Sequence, residues 1–166
     1  MEGVPRMDAE LMVKMVEGAC PFANRSKMRV TRIGEEGNIT MILEDDQANL
    51  NAFGLVHAGA ICGLAETAGG MAIFTYLDPM EFVVLNTVLN IRFTAMPRGE
   101  LRCSVRVNPD EAEAMLEDFR IFGKADKAVN MEVLDASGKR VADAQATYRL
   151  MATPDEFKTY FQQMAP

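Results

Sequence analysis

The chain has 166 residues, of which 49% are hydrophobic and 25% charged, a profile typical of one soluble globular domain with a substantial core. Its net charge of −7 argues against binding to nucleic-acid phosphates, because proteins with that role are usually basic. Three widely spaced cysteines and a single histidine offer neither a disulfide framework nor a metal site, so we expect no metal. The first residues lack the basic and apolar regions of a signal peptide, and we therefore expect a cytoplasmic protein.

The N-terminal part is predicted to contain a helix followed by two strands. The stretch "DAELMVKMVEGACP" starts with Asp8, a residue type that caps helices, and its apolar residues recur at helical spacing over about residues 8–18. The stretches "SKMRVTRI" and "NITMILED" have the character of strands, and "GEEGN" between them is typical of a turn.

The most apolar segment is "NAFGLVHAGAICGLAETAGGMAIFTYL", residues 51–77. From Ala58 to Leu77 it matches the roughly 20 apolar residues that cross a bilayer. However, Glu66 lies near its middle, several glycines interrupt it, and strand patterns flank it on both sides. We therefore predict a helix buried in a soluble domain, with no membrane partner, that ends before Pro79.

Alternating strands follow this helix. The stretch "LNTVLNIRFTA" has a period of two, which predicts that one face is shared by Leu85, Thr87, Leu89, Ile91, Phe93 and Ala95. The stretch "LRCSVRVN" alternates in the same way and places Cys103 on its apolar face. Later, "AVNMEVLD" and "RVADAQATYRLM" read as two strands joined by a hairpin turn, "ASGK".

Two further helices complete the prediction. The stretch "PDEAEAMLEDF" opens with proline and acidic residues, as a first helical turn should. The stretch "TPDEFKTYFQQM" predicts a C-terminal helix over about residues 154–164, with Thr153 as its N-cap. The order of elements indicates an α+β domain whose antiparallel sheet packs one face on the long helix. Because a flat sheet covers only one side of that helix, the sheet must curl or a partner must cover the rest.

Several residues around the long helix resemble the hotdog-fold acyl-CoA thioesterases. They are Asn51, Gly54, the "HAG" of residues 57–59 and the "LAETA" of residues 64–68. The resemblance implies a curled antiparallel sheet of about five to six strands wrapped around the helix, within a single domain spanning residues 1–166 and with its core at about residues 25–151. It also implies a homodimer with sheets paired edge to edge, or a homotetramer.

The chain departs from the family pattern at three places. Ala58 replaces the first glycine of a His-Gly-Gly sequence. Asn86, followed by Thr87, stands where some members carry serine or threonine. Residues 109–123 are longer than the usual hairpin.

The chemistry implied by the resemblance centres on Glu66. Gly59 and Glu66 are seven residues apart, so they share a helix face, and free amides at the helix start can bind negative charge. We expect Glu66 to act as general base or as nucleophile, the Gly59 amide to polarise the thioester carbonyl, and His57 and Asn51 to form hydrogen bonds in the site. Further substrate contacts are expected from Ala58, Thr67, Asn86, Thr87 and Arg92.

The resemblance implies acyl-CoA hydrolysis, with coenzyme A present only as part of the substrate and no other cofactor. Two alternatives stay open: a hotdog protein that binds acyl-CoA or a fatty acyl group without turnover, and a hydratase acting on an enoyl thioester. The cysteines are expected to be small buried hydrophobic residues rather than nucleophiles, because Cys62 lies on the apolar helix and Cys103 on an inward strand face.

Overall fold

The computed structural model describes residues 7–34 and 37–164, without the side chain of Met164. Its strands are β1 Met28–Ile33, β2 Asn38–Leu43, β3 Phe82–Phe93, β4 Leu101–Arg106, β5 Ala125–Asp135 and β6 Arg140–Ala152. Its α-helices are α1 Ala9–Val13, α2 Pro21–Arg25, α3 Ala58–Phe74, α4 Pro109–Phe122 and α5 Asp155–Met164. A π-helical turn, Lys14–Gly18, follows α1, and a single 3-10 turn, Gln47–Asn49, precedes α3.

The six strands form one antiparallel sheet in the order β1-β2-β4-β5-β6-β3. The inward faces of β4, β5 and β6 pack against α3, which also contacts β2 and β3. Alanines at 142, 144 and 146 on the inward face of β6 leave room for the helix. The sheet thus curls around α3, and the predicted hotdog architecture is confirmed.

The long helix behaves as a core element rather than as a membrane span. It has 17 residues, of which ten are buried, and Tyr76 and Leu77 beyond its end are buried as well. Among residues 7–34 and 37–164, no helix combines the length and apolar character needed to cross a membrane.

The predicted facing of β3 is wrong at its first residues, because a β-bulge lies between Asn86 and Val88. Asn86 pairs with the inward Tyr148, whereas Leu85 pairs with Arg149 and is 47% exposed. Beyond the bulge Leu89 packs against the core, so Leu85 and Leu89 lie on opposite faces. One extra residue shifts the alternation and cannot be read from a period of two.

Two local predictions also need correction, and a third falls outside the described residues. The N-terminal helix is confirmed with Asp8 as its cap, but it continues as the π-helical turn and is followed by α2, which was not predicted. The C-terminal helix begins at Asp155, and the Thr153 hydroxyl donates to the carbonyl of Pro79 instead of serving as the predicted cap. The predicted turn between β1 and β2 includes residues 35–36, which lie outside the described residues.

Candidate functional site

Glu66 lies on the central helix with its carboxylate in a largely apolar environment. The Thr67 hydroxyl donates to its Oε2 atom over 3.4 Å, and among the described residues no lysine or arginine forms an ion pair with it. Burial raises the pKa of the Glu66 carboxyl, and the Thr67 hydrogen bond lowers it by less. A raised pKa makes a carboxylate a stronger base, which favours its accepting a proton from water.

A cavity of about 190 Å³ adjoins this carboxylate, and we call it the Glu66 cavity. Helix α3 contributes Glu66, Thr67, Gly70, Met71 and Phe74 to its wall. The rest of the wall comes from the N-terminal segment, here defined as residues 7–25, and from two strands, through Met15, Val16, Cys20, Val84 and Tyr148. Glu66 is therefore the one acidic group in an otherwise mostly apolar lining.

Tyr148 is a residue of this cavity that the sequence reasoning did not single out. Its buried hydroxyl donates to the backbone carbonyl of Glu66 over 2.6 Å, and burial together with the nearby carboxylate raises the pKa of Tyr148. A Cβ atom on Gly69 would lie 2.3 Å from that hydroxyl, so only glycine fits there. The sequence held a signal for it: Tyr148 is the one aromatic residue on a strand face of alanines and Leu150, opposite a helix that carries paired glycines.

His57 and Gly59 lie at the start of the same helix but line a second cavity, the His57 cavity, of about 320 Å³. The Gly59 amide, expected to be free for substrate, donates to Nδ1 of His57 over 2.9 Å, so that His57 is the N-cap of α3. A neutral imidazole that accepts at Nδ1 carries its proton on Nε2. The exposed ring of His57 thus retains a hydrogen-bond donor.

The two cavities are separated by Phe22 of α2. Its ring lies so close to Gly63 that a Cβ there would come within 2.6 Å of the ring. Phe22 lines the His57 cavity, and Cys20, two residues earlier, lines the Glu66 cavity. His57 and Glu66 are nine residues apart, about 13 Å along a helix, so one protomer does not bring them together.

Three other predicted site residues, Asn51, Ala58 and Thr67, lie near the start of α3 or along it. The Asn51 side chain accepts hydrogen bonds from the amides of Phe53 and Leu55, and it therefore stabilises its own turn. Ala58 is exposed as the first residue of α3, beside His57, and Thr67 lines the Glu66 cavity.

Asn86, Thr87 and Arg92 are not among the residues that line the Glu66 cavity. Asn86 donates to the carbonyls of Val88 and Thr147, and Thr87 also donates to Thr147, so both fix the β3 bulge. Arg92 lines a cavity of about 570 Å³ with polar residues of the outer sheet face. None of the three is thereby placed beside Glu66.

All three cysteines are free thiols. Burial raises the pKa of Cys62 and raises the pKa of Cys103 to about 12, so neither thiol is activated. Cys20 lines the Glu66 cavity, so chemical labelling of its thiol can report on that cavity.

The chain is similar to one described protein family and to several solved structures. A family model described as a domain of unknown function (DUF4442) matches residues 8–150. None of the curated proteins compared with the chain matches it significantly.

Several solved structures resemble the chain over most of its length. A Pseudomonas aeruginosa protein described as a probable thioesterase of unknown function is 26% identical, with a TM-score of 0.80 over 90% of this chain and 99% of its own. A Haemophilus influenzae thioesterase is 15% identical, with a TM-score of 0.73 over 93% of this chain and 98% of its own. A second P. aeruginosa thioesterase, solved as a mutant, is 18% identical, with a TM-score of 0.70 over 88% and 95% of the two chains. The chain therefore belongs to the DUF4442 family and has the hotdog fold of thioesterase-superfamily proteins.

Proposed function

We propose that the protein is a thioesterase that hydrolyses an acyl-CoA. The observation that carries the proposal is Glu66, a carboxylate with a raised pKa in the wall of an apolar cavity, with no ion pair to any lysine or arginine that the structure describes. Acidic side chains are seldom placed in such surroundings without a functional reason. The similarity to a protein described as a probable thioesterase supports the same reading.

The proposed reaction uses Glu66 as general base. The carboxylate removes a proton from water while the water oxygen bonds to the thioester carbonyl carbon. The resulting tetrahedral intermediate expels the thiolate as the carbon–sulfur bond breaks, and the proton held by Glu66 passes to the sulfur. The products are a carboxylic acid and the free thiol of CoA. Direct attack by Glu66, through a mixed anhydride, uses the same carboxylate without this first proton transfer.

The proposed donor to the carbonyl oxygen is Nε2–H of His57. The Gly59 amide is engaged by Nδ1 of the same ring, so its contribution is to fix the tautomer that leaves Nε2 protonated. A positioned donor to the developing oxyanion contributes on the order of 10²-fold or more to the rate. His57 is therefore assigned the role first expected of the Gly59 amide.

A homodimer is proposed because the two sheet edges differ. Strand β1 is protected, since its Val30 amide donates to Oε1 of Glu17 over 2.9 Å and it carries Arg29 and Arg32. Strand β3, at the opposite edge, exposes Leu85, Val88 and Phe93 by 47%, 46% and 45%. An apolar edge strand is a template for pairing with a second copy. Pairing there would let His57 of one protomer act with Glu66 of the other.

An acyl-CoA-binding protein without turnover is the second candidate. It is favoured by the engagement of Asn51 and the Gly59 amide in local structure, because both were expected to contact substrate. Such a protein would bind the acyl group in the Glu66 cavity and leave the thioester intact.

The test is a thiol-release assay with a panel of acyl-CoAs, comparing wild type with Glu66→Gln and Glu66→Ala. We expect both variants to lose about 10² to 10⁴ in kcat, as for a removed general base. Glu113→Gln, on the exposed face of α4, is the matched control and should behave as wild type. Full activity in both Glu66 variants would disprove the proposed role. Binding of acyl-CoA without thiol release by wild type would establish the second candidate, and loss of enoyl absorbance without thiol release would indicate a hydratase.

A further inference from the structure

The N-terminal segment runs antiparallel to α3 along the helix face that carries Glu66. The Met7 amide donates to the carbonyl of Thr75, at the C-terminal end of α3, over 2.9 Å. At the other end of the segment, Phe22 packs on Gly63, near the start of the helix. Residues between these two contacts therefore cover the helix from Thr75 back to Gly63.

The middle of this segment is held firmly in place. Oε1 of Glu17 accepts from the amide of Val30 over 2.9 Å, which ties the π-helical turn to β1. The hydroxyl of Tyr160 on α5 donates to the carbonyl of Ala19 over 2.9 Å. Val16 is 2% exposed. Because the turn is tied to the sheet and to α5, it forms a fixed wall of the cavity, and π-helical turns are frequent at functional sites.

The Glu66 cavity extends along one stripe of α3. Its lining residues Glu66, Gly70 and Phe74 follow each other at steps of four, so the stripe is about 12 Å long. Glu66 and Thr67 supply polar groups at one end, and Met71 and Phe74 supply apolar surface at the other. Missing a side chain, Gly70 leaves the middle of the stripe open.

We infer that this cavity holds the acyl chain of the substrate and that the N-terminal segment sets its length, with a preference for short- to medium-length linear chains. The inference rests on the proposed thioesterase function. The cavity is small, about 190 Å³, and its stripe along α3 is about 12 Å long, which suits a short or medium chain rather than a long one. Met15 lines the cavity from the N-terminal segment, and Tyr148 lines it from the sheet.

Two substitutions move the length limit in opposite directions. Met15→Ala removes three heavy atoms from the wall and should shift the preferred chain length upward by about three carbons. Gly70→Ala adds a methyl group 3.4 Å from Cε1 of Tyr148, an ordinary contact, so the variant should fold while the cavity becomes shorter. We expect Gly70→Ala to lower kcat/KM for eight-carbon relative to four-carbon acyl-CoA about 10-fold.

Two other glycines provide controls. Gly69→Ala would place its Cβ 2.3 Å from the Tyr148 hydroxyl and should destabilise the fold. Gly18→Ala meets no atom within 4 Å, and Gly18 does not line the cavity, so the ratio for the two acyl lengths should stay at the wild-type value. An unchanged length profile in both Met15→Ala and Gly70→Ala, with the fold intact, would overturn the inference.

A second measurement does not depend on turnover. Cys20 lines the cavity, so its alkylation by N-ethylmaleimide, followed by peptide mapping, reports occupancy. Non-hydrolysable thioether analogues of six-carbon acyl-CoA should slow labelling at least 5-fold, and free CoA should not. Eight-carbon analogues should protect Cys20 in Met15→Ala more than in wild type. Protection without thiol release would refute the proposed hydrolysis but keep the acyl cavity, whereas thiol release without protection would refute the acyl cavity alone.

Discussion

At the scale of single residues, the Glu66 carboxylate lies in a mostly apolar cavity and accepts a hydrogen bond from the Thr67 hydroxyl. Tyr148 donates to the Glu66 backbone carbonyl rather than to its carboxylate, so it positions the helix turn without neutralising the charge. Burial of the ionised form costs stability, and the same burial raises the pKa that the proposed chemistry uses.

Because ionised Glu66 is unfavourable in its buried position, Glu66→Gln should be more stable than wild type by an amount that depends on pH. The folded pKa of Glu66 is raised above its unfolded value, so below the unfolded value both states hold the proton and the carboxyl costs little. As pH rises, the unfolded state releases its proton first, and the stability of wild type falls until the folded pKa is passed. The stability of Glu66→Gln relative to wild type should therefore increase with pH through that interval and then level off.

Urea denaturation of both proteins from acidic to neutral pH measures this difference. Glu113→Gln, which changes an exposed carboxylate, should show no such trend. A difference between Glu66→Gln and wild type that is constant with pH would show that Glu66 is ionised as easily in the folded as in the unfolded chain.

At the scale of elements, the central helix is enclosed by the curled sheet and by the N-terminal segment. The sequence indicated that a flat sheet leaves part of α3 uncovered, and it offered curling or a partner as solutions. The structure shows a third solution, in which the N-terminal segment covers the helix. Its residues Met12, Val16 and Ala23 are buried where the segment runs along α3. Phe22 packs against Gly63 of the helix and lies between the two cavities.

The contact between Phe22 and Gly63 predicts a coupled pair of substitutions. Gly63→Ala would gain about 1 kcal/mol of helix propensity, but its Cβ would lie 2.6 Å from the Phe22 ring and should displace α2. We therefore expect Gly63→Ala to lower the free energy of unfolding, and Phe22→Ala combined with it to recover part of that loss. A double-mutant cycle by denaturant unfolding measures the coupling energy. Additive effects of the two substitutions would contradict this contact.

At the scale of the whole molecule, the distance between His57 and Glu66 determines whether both residues of one protomer can contact the same thioester. The two residues line different cavities of one protomer, and the proposed shared site would combine them through a second copy paired at the β3 edge. A symmetric dimer would then contain two equivalent sites, each built from both chains.

Mixing two inactive variants tests the shared site. His57→Asn keeps a good helix cap while removing the imidazole, and Glu66→Gln removes the carboxylate. If each site takes one residue from each protomer, a mixed dimer has one intact site, and an equimolar mixture should recover about a quarter of wild-type activity.

Val88→Lys provides the control for this experiment. It places a charge on the exposed β3 edge and should prevent both dimerisation, measured by light scattering, and recovery of activity. Absence of recovery in mixtures that do form mixed dimers would place both residues in one protomer's site.

The sequence by itself determined most of the architecture of this protein. Period-two alternation predicts the strands β3 and β4, and the apolar run from Ala58 predicts α3, because strand and helix periodicities record which side chains face the core. The lone carboxylate in an apolar helix was enough to single out Glu66, since burial of such a group is costly.

Only the tertiary structure decided what surrounds those residues. The bulge at Asn86 is a local break in the strand period. The Tyr148 hydroxyl on the Glu66 carbonyl and the N-terminal wall are contacts between distant segments. A pattern in one segment reports which face is buried but not what is buried against it. That is why Glu66 could be predicted and the shape of its cavity could not.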